Sequence, residues 1–116
     1  MFHKIIIVGR LGADPEQKYT VDGKAVTSFS VAAENRKDET LWFRVSAWEK
    51  LADVCGRYLK KGAKVLVEGT LRADGAGNPR VYERKDGLGW AASFEVVASS
   101  VKFLSGKDEP TDEVPF

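Results

Sequence analysis

Cysteine occurs once in these 116 residues, and so does histidine. One thiol cannot form an intramolecular disulfide, and one imidazole with no spaced partner supplies no metal-ligand set. A lone cysteine also suits a reducing compartment, so a cytoplasmic location is expected. Long apolar runs are missing as well. The Ile5–Val8 segment is too short for a signal-peptide core or a membrane span, and neither is expected. No Ser/His/Asp, Cys/His or paired-carboxylate set can be assembled, so an enzyme is not expected. Gly9-Arg-Leu-Gly12 lacks the further glycine and the Lys-Ser/Thr of a phosphate-cradling loop. Internal repeats and low-complexity blocks are absent.

An excess of one charge is missing only on average. The net charge is +1, but residues 107–116 set Lys107 against Asp108, Glu109, Asp112 and Glu113. That segment sums to −3, which leaves residues 1–106 at +4. A mildly basic body with an acidic tail is a more specific pattern than neutrality. At this length, with 43% hydrophobic and 30% charged residues, the chain is one soluble globular domain.

What is present centres on Thr40-Leu-Trp-Phe-Arg-Val-Ser-Ala-Trp48. Period-two alternation puts Leu41, Phe43, Val45 and Ala47 on one face of a strand and Trp42, Arg44, Ser46 and Trp48 on the other. The first is a core face. The second carries two of the three tryptophans with a guanidinium between them. Bases stack on indoles and phosphates pair with arginine, so this face suits single-stranded nucleic acid. A sheet covered on both sides, or a protein–protein contact, would also use such a face.

In chain order, Lys4-Ile-Ile-Ile-Val8 is β-branched and apolar on both faces, a strand buried or paired on both sides. Gly9 and Gly12 mark a bend, and Pro15 ends the strand. Asp22-Gly23 joins Tyr19–Val21 to Lys24–Glu34 as a hairpin with Phe29 facing inward. Asn35–Glu39 forms a charged loop whose Arg36 and Lys37 serve either phosphate or solvent. After Trp48 the period changes. Leu51, Val54, Cys55 and Tyr58 form one helix face, with Glu49 in the first turn, Lys60 and Lys61 in the last, and Gly62 as the left-handed cap. Lys64–Arg72 is the next strand, with a bend at Gly69. Arg80–Lys85 and Leu88–Trp90, joined at Asp86-Gly87, form a projecting hairpin with a basic, aromatic arm. Ala92, Phe94, Val96 and Ala98 alternate along a last strand to Leu104, and the tail beyond is expected to be disordered.

Five main strands, glycine bends and one helix between the third and fourth describe an all-β OB-fold, a five-stranded Greek-key barrel. The expected division is an OB-fold domain over residues 1–104 and a short acidic tail over 105–116. An SH3-like barrel lacks the helix, and a ferredoxin-like fold needs two.

The same residues carry a family resemblance. Ile5-Ile-Ile-Val-Gly-Arg-Leu-Gly-Ala-Asp-Pro-Glu16, Thr40–Val45, Lys50-Leu-Ala-Asp through Gly62, Val65–Arg72 and the terminal Asp112-Glu-Val-Pro-Phe116 resemble, in this order, the bacterial-type single-stranded DNA-binding proteins (SSB). The resemblance implies base stacking on Trp42 and Trp48 and basic DNA contacts from Arg44, Lys50 and Lys61, with Tyr58 in the matching helix. Arg10, Arg72, Tyr82 and Trp90 complete the candidate DNA-binding set. It further implies a homotetramer paired through first strands and hairpins, no cofactor, and a nucleoid-associated role in replication, recombination and repair. Partner enzymes would be recruited through the tip Asp112, Glu113, Val114, Pro115 and Phe116.

The chain departs from that pattern at three places. No aromatic stands in Asn35–Glu39, none follows Arg72 in Ala-Asp-Gly-Ala-Gly, and only Ser105–Thr111 separates body from tip. Trp90 either stacks bases or packs between subunits. Two other classes remain open. A primosomal accessory protein of the same fold lacks the Pro-Phe tip. A small nuclease needs an acidic metal cluster in its groove, and no carboxylate lies between Trp42 and Trp48.

Overall fold

Alternation of β-branched and small residues writes most of this chain into strands. The structure, a computed structural model, describes residues 1–104. In chain order these form β1 (Ile5–Leu11), β2 (Glu16–Tyr19), β3 (Ala25–Arg36), β4 (Glu39–Trp48), α1 (Lys50–Tyr58), β5 (Lys64–Leu71), β6 (Val81–Glu83), β7 (Trp90–Ala92) and β8 (Phe94–Phe103). The tail 105–116, with its tip Asp112–Phe116, lies outside the described residues.

Five of the strands close on themselves. The main sheet runs β1-β5-β8-β4-β3-β2, and β3 pairs back to β1 through Arg10–Ala32 and Leu11–Val31. All neighbours are antiparallel except β4 and β8, which run parallel from Phe43–Phe94 to Ser46–Val97. The helix sits between the third and fourth barrel strands, β4 and β5. This is the expected five-stranded OB-fold barrel.

Closure depends on two places where a side chain cannot fit. A β-carbon on Gly9 would lie 2.1 Å from the Ala32 carbonyl oxygen, at the seam where β1 leaves β5 for β3. One on Gly69 would lie 2.2 Å from the Val97 oxygen, beside the register shift that bends β5 along β8. Both are close approaches of backbone to backbone, as the bends read from sequence require.

Inside the barrel lie Ile7, Leu11, Phe29, Val31, Phe43, Val45, Ala47, Val65, Val67 and Val96, with Cys55 and Leu59 closing one end. Thr27, also fully buried, donates its hydroxyl to the Ala52 carbonyl at 2.7 Å and ties β3 to α1. The lone imidazole is accounted for locally: His3 Nε2 accepts the Leu71 N–H at 3.0 Å.

Three local expectations are corrected. The buried helix positions are Ala52 and Cys55, followed by Leu59, whereas Val54 and Tyr58 are exposed. The helix ends at Tyr58, so Lys60 and Lys61 lie beyond its last turn, and Leu59 is extended. Gly62 caps a tight turn instead: its φ is 88°, and the Ala63 N–H returns to the Lys60 carbonyl. That turn lays residues 62 and 63 against Leu11, with Gly62 N–H donating to the Leu11 carbonyl and Leu11 N–H to that of Ala63. Finally, Asn35–Glu39 is not an open loop. β3 runs on to Arg36, and the turn is Lys37-Asp38, with Asp38 at a positive φ of 63° that aspartate tolerates.

Candidate nucleic-acid interface

On β4 the alternation is complete. Phe43, Val45 and Ala47 are buried, while Trp42 and Trp48 keep 52% and 38% of their surface exposed with Arg44 exposed between them. Six residues of strand separate the indoles by roughly 20 Å. Residues level on adjacent strands share a face, so strand register builds the site outward from β4 in rungs. Trp42 is level with Ala32, and through it with Arg10. Arg44 is level with Ser30 on one side and Glu95 on the other. Ser46 is level with Ser28, and beyond that with Glu16. Trp48 is level with Val26, and beyond that with Lys18.

The projecting hairpin forms a wall over the middle rungs. One hollow is lined by Ser28, Arg44, Ser46, Arg72, Arg80, Tyr82, Lys85 and Glu95. A second, more apolar one is lined by Trp42, Phe43, Arg44, Pro79, Tyr82 and Phe94. Arg44 and Tyr82 border both, so the two form one trough. Phe94 lies against Phe43 with ring centroids 5.7 Å apart and an interplanar angle of 39°. Tyr82 is fixed by its hydroxyl, 2.9 Å from Ser93 Oγ. Flat apolar surface therefore alternates with guanidinium along a single path.

The connection from β5 to the hairpin is organised by Asp74. Its carboxylate accepts the backbone N–H groups of Ala76 and Asn78 at 2.8 and 2.9 Å. These amides, that of Asn78 foremost, hold its carboxyl below the usual carboxylate range. Asp74 in this way closes the turn over residues 74–78 that precedes Arg80 and the hairpin.

Of the candidate residues, Trp42, Arg44, Arg72 and Tyr82 meet in the trough. Arg10 stands on the Trp42 rung, its guanidinium donating to the Gly62 carbonyl at 3.0 Å, one residue from Lys61. Lys61 is itself anchored, its N–H donating to Asp14 at 2.8 Å. Trp48 and Lys50 mark the far end, either side of Glu49, whose φ of 57° turns the chain into the helix. Trp90 is level with Glu83 on the hairpin, 69% exposed, and lines neither hollow. Sequence reading missed Arg80, Lys85, Phe94 and Lys18. Arg80 and Lys85 lie within the basic arm already noted, but their aim depends on the hairpin's placement. Phe94 has core parity, level with buried Phe43, yet as the first residue of β8 it remains exposed.

Among the described residues, no group of three or more His, Cys, Asp or Glu is placed to hold a metal, and no helix is long and apolar enough to cross a membrane.

Comparison with known proteins gives concordant results. The model of the single-strand binding protein family matches residues 2–104. A single-stranded DNA-binding protein of Neisseria meningitidis serogroup B is 37% identical over 98% of this chain, and the match covers 66% of that protein. A protein of the same name from Thermotoga maritima is 38% identical over 95% of this chain and 79% of its own length. Single-stranded DNA-binding protein 1 of Chlorobaculum tepidum is 33% identical over 91% and 67%. The chain spans about two thirds of the length of the Neisseria relative. It belongs to the single-strand binding protein family.

Proposed function

We propose that the protein binds and protects single-stranded DNA, largely independently of sequence. Bases stack on Trp42, Trp48 and the trough aromatics, while backbone phosphates meet Arg44, Arg72 and Arg80, with Arg10, Lys50 and Lys61 at the ends. The observation that carries this reading is the pair of exposed indoles on one strand face with an exposed guanidinium between them. Every base has a π-face, so stacking tolerates any sequence. The relatives' names support the ligand. The chain is not an enzyme, since its family is one of DNA-binding proteins without catalysis.

Two further parts of the reading concern partners. Self-association, with a homotetramer as the expected state, accounts for exposed Phe2 and Ile6 beside and on β1 and for Val81, Leu88 and Trp90 on the hairpin. Light scattering of the full chain would give its mass directly. Recruitment of replication, recombination and repair enzymes rests on the composition of Asp112–Phe116, two carboxylates ahead of Pro-Phe. Deleting residues 112–116 is expected to abolish that recruitment and leave DNA affinity equal or slightly higher. A nucleoid-associated, cytoplasmic location follows from the same reading.

Titration of tryptophan fluorescence with oligo(dT) tests the central claim. Strong quenching is expected, and each of Trp42→Ala and Trp48→Ala should cost about 1–3 kcal/mol of affinity. Duplex DNA, with its bases already stacked, should bind far more weakly. Quenching that survives unchanged in the double variant would show that the strand does not lie on this face.

A further inference from the structure

One carboxylate stands among the cations of the trough. Glu95 Oε1 accepts from Arg80 Nη1 at 2.9 Å and lies 3.7 Å from Arg72 Nη1. Its side chain is only 13% exposed, whereas those of Arg80 and Arg72 are 37% and 48% exposed. Its backbone is fixed as well. Glu95 is level with Arg44 across the parallel β4–β8 pairing, and its carbonyl accepts the Arg72 N–H at 2.8 Å. The carboxylate therefore stands, on a strand that cannot swing aside, among Arg44, Arg72, Arg80 and Lys85. A surface used only to attract phosphate gains nothing from a negative charge at its centre.

We propose that Glu95 sets the strength of the trough's grip on the strand by acting as a built-in competitor for the phosphate. This rests on the single-stranded DNA reading given above. A guanidinium has five N–H donors in a planar fork. The carboxylate engages one nitrogen of Arg80 and orients the fork, and the exposed remainder faces the trough. An arriving phosphate must share that guanidinium with a carboxylate that repels it. Four cations then act on the strand as three. The middle of the trough holds DNA more loosely than its arginine content suggests, so a segment of strand can exchange there while the outer rungs keep hold.

The prediction is separable from simple positioning, because the two give opposite signs. If Glu95 only aimed its arginines, Glu95→Gln would weaken DNA binding. As a competitor, its removal tightens binding and steepens the salt dependence. Each additional phosphate neutralised on a single strand adds about 0.7 to the slope of log affinity against log salt. The gain is therefore about fivefold in affinity for every tenfold dilution of salt.

The test is a salt series of oligo(dT) titrations on four full-length proteins: wild type, Glu95→Gln, Glu95→Asp, and the double variant Arg80→Ala/Glu95→Gln. Glu95→Gln should show the steeper slope and tighter binding at low salt. Glu95→Asp, which keeps the charge, should keep the wild-type slope. The double variant removes one charge of each sign and should return to it. An unchanged slope or weaker binding in Glu95→Gln would overturn the proposal, as would a slope in Glu95→Asp equal to that of Glu95→Gln. Failure of the wild-type protein to bind oligo(dT) would instead overturn the functional reading on which this one rests.

Discussion

The indole of Trp42 is seated on Gly12. A β-carbon at residue 12 would lie 2.5 Å from ring atom Cζ3 and 2.7 Å from Cη2. The chain just past β1 therefore supplies the floor on which the exposed ring rests, and that floor exists because glycine has no side chain. Gly12→Ala pushes against the far end of a side chain rather than against backbone, so the barrel should survive it. DNA affinity is expected to fall by about 1 kcal/mol, the low end of a stacking loss, with reduced fluorescence quenching. Thermal unfolding followed by circular dichroism should stay within about 1 kcal/mol of wild type. Undiminished affinity would show that the seat of Trp42 does not matter for stacking.

Arg44 tests the electrostatic half of the same face. Its rung contains Ser30 and Glu95, and it borders both hollows of the trough. A phosphate contact carries no base identity, so Arg44→Ala should weaken binding to homopolymers of every base alike. The salt slope should drop by about 0.7. A loss confined to one base would point to hydrogen-bonded readout at Arg44 instead of backbone contact.

The legible parts of this molecule were those set by short-range geometry. Alternation over Leu41–Trp48 is a period-two signal that needs no tertiary knowledge, and it assigned Trp42, Arg44 and Trp48 to one face. Gly9 and Gly69 were legible as bends because glycine inside a β-branched run has few other reasons to be there. The helix phase was not. Nine residues make only two and a half turns, so several apolar faces fit, and the true one is marked by small Ala52 and by Leu59 outside the helix. The cation cluster was illegible for a different reason. Arg80 and Glu95 are fifteen residues apart and meet only because β5 and β8 pair and the hairpin between them folds back. Likewise nothing local connects Arg10 or Lys18 with the tryptophan rungs. Those relationships belong to barrel closure.

Closure itself can be tested at Gly9. The added methyl of Gly9→Ala would meet the Ala32 carbonyl carbon and oxygen, which are backbone and cannot rotate away. The β1–β3 seam there consists of two residue pairs. Overpacking of this kind costs about 1–3 kcal/mol, and the upper half of that range is expected from urea unfolding. Gly75→Ala is the control, since nothing lies within 4 Å of its β-carbon position. It should be neutral or stabilising by less than about 1 kcal/mol. Equal stability of the two variants would mean that β1 has slack at the seam.

Cys55 provides a prediction from pH. The thiol is fully buried at the barrel end that α1 closes, and burial pushes its pKa up from the ordinary 9.0 to about 11. Desolvation opposes the thiolate, so the native state holds its proton more tightly than the unfolded chain does. The sign follows from proton linkage. Between roughly pH 9 and 11 the unfolded state has released a proton that the native state keeps, so unfolding becomes more favourable as pH rises. The stabilisation is complete below pH 9 and lost through pH 11, about 2–3 kcal/mol in all. Urea unfolding of wild type and Cys55→Ala across this range should diverge by that pH-dependent amount, whatever constant offset the smaller side chain adds. At pH 8 the native thiol should also resist a water-soluble disulfide reagent, which the urea-unfolded chain consumes at once. Parallel stability curves for the two proteins above pH 9, or rapid labelling of the native protein, would show that the helix does not seal the barrel.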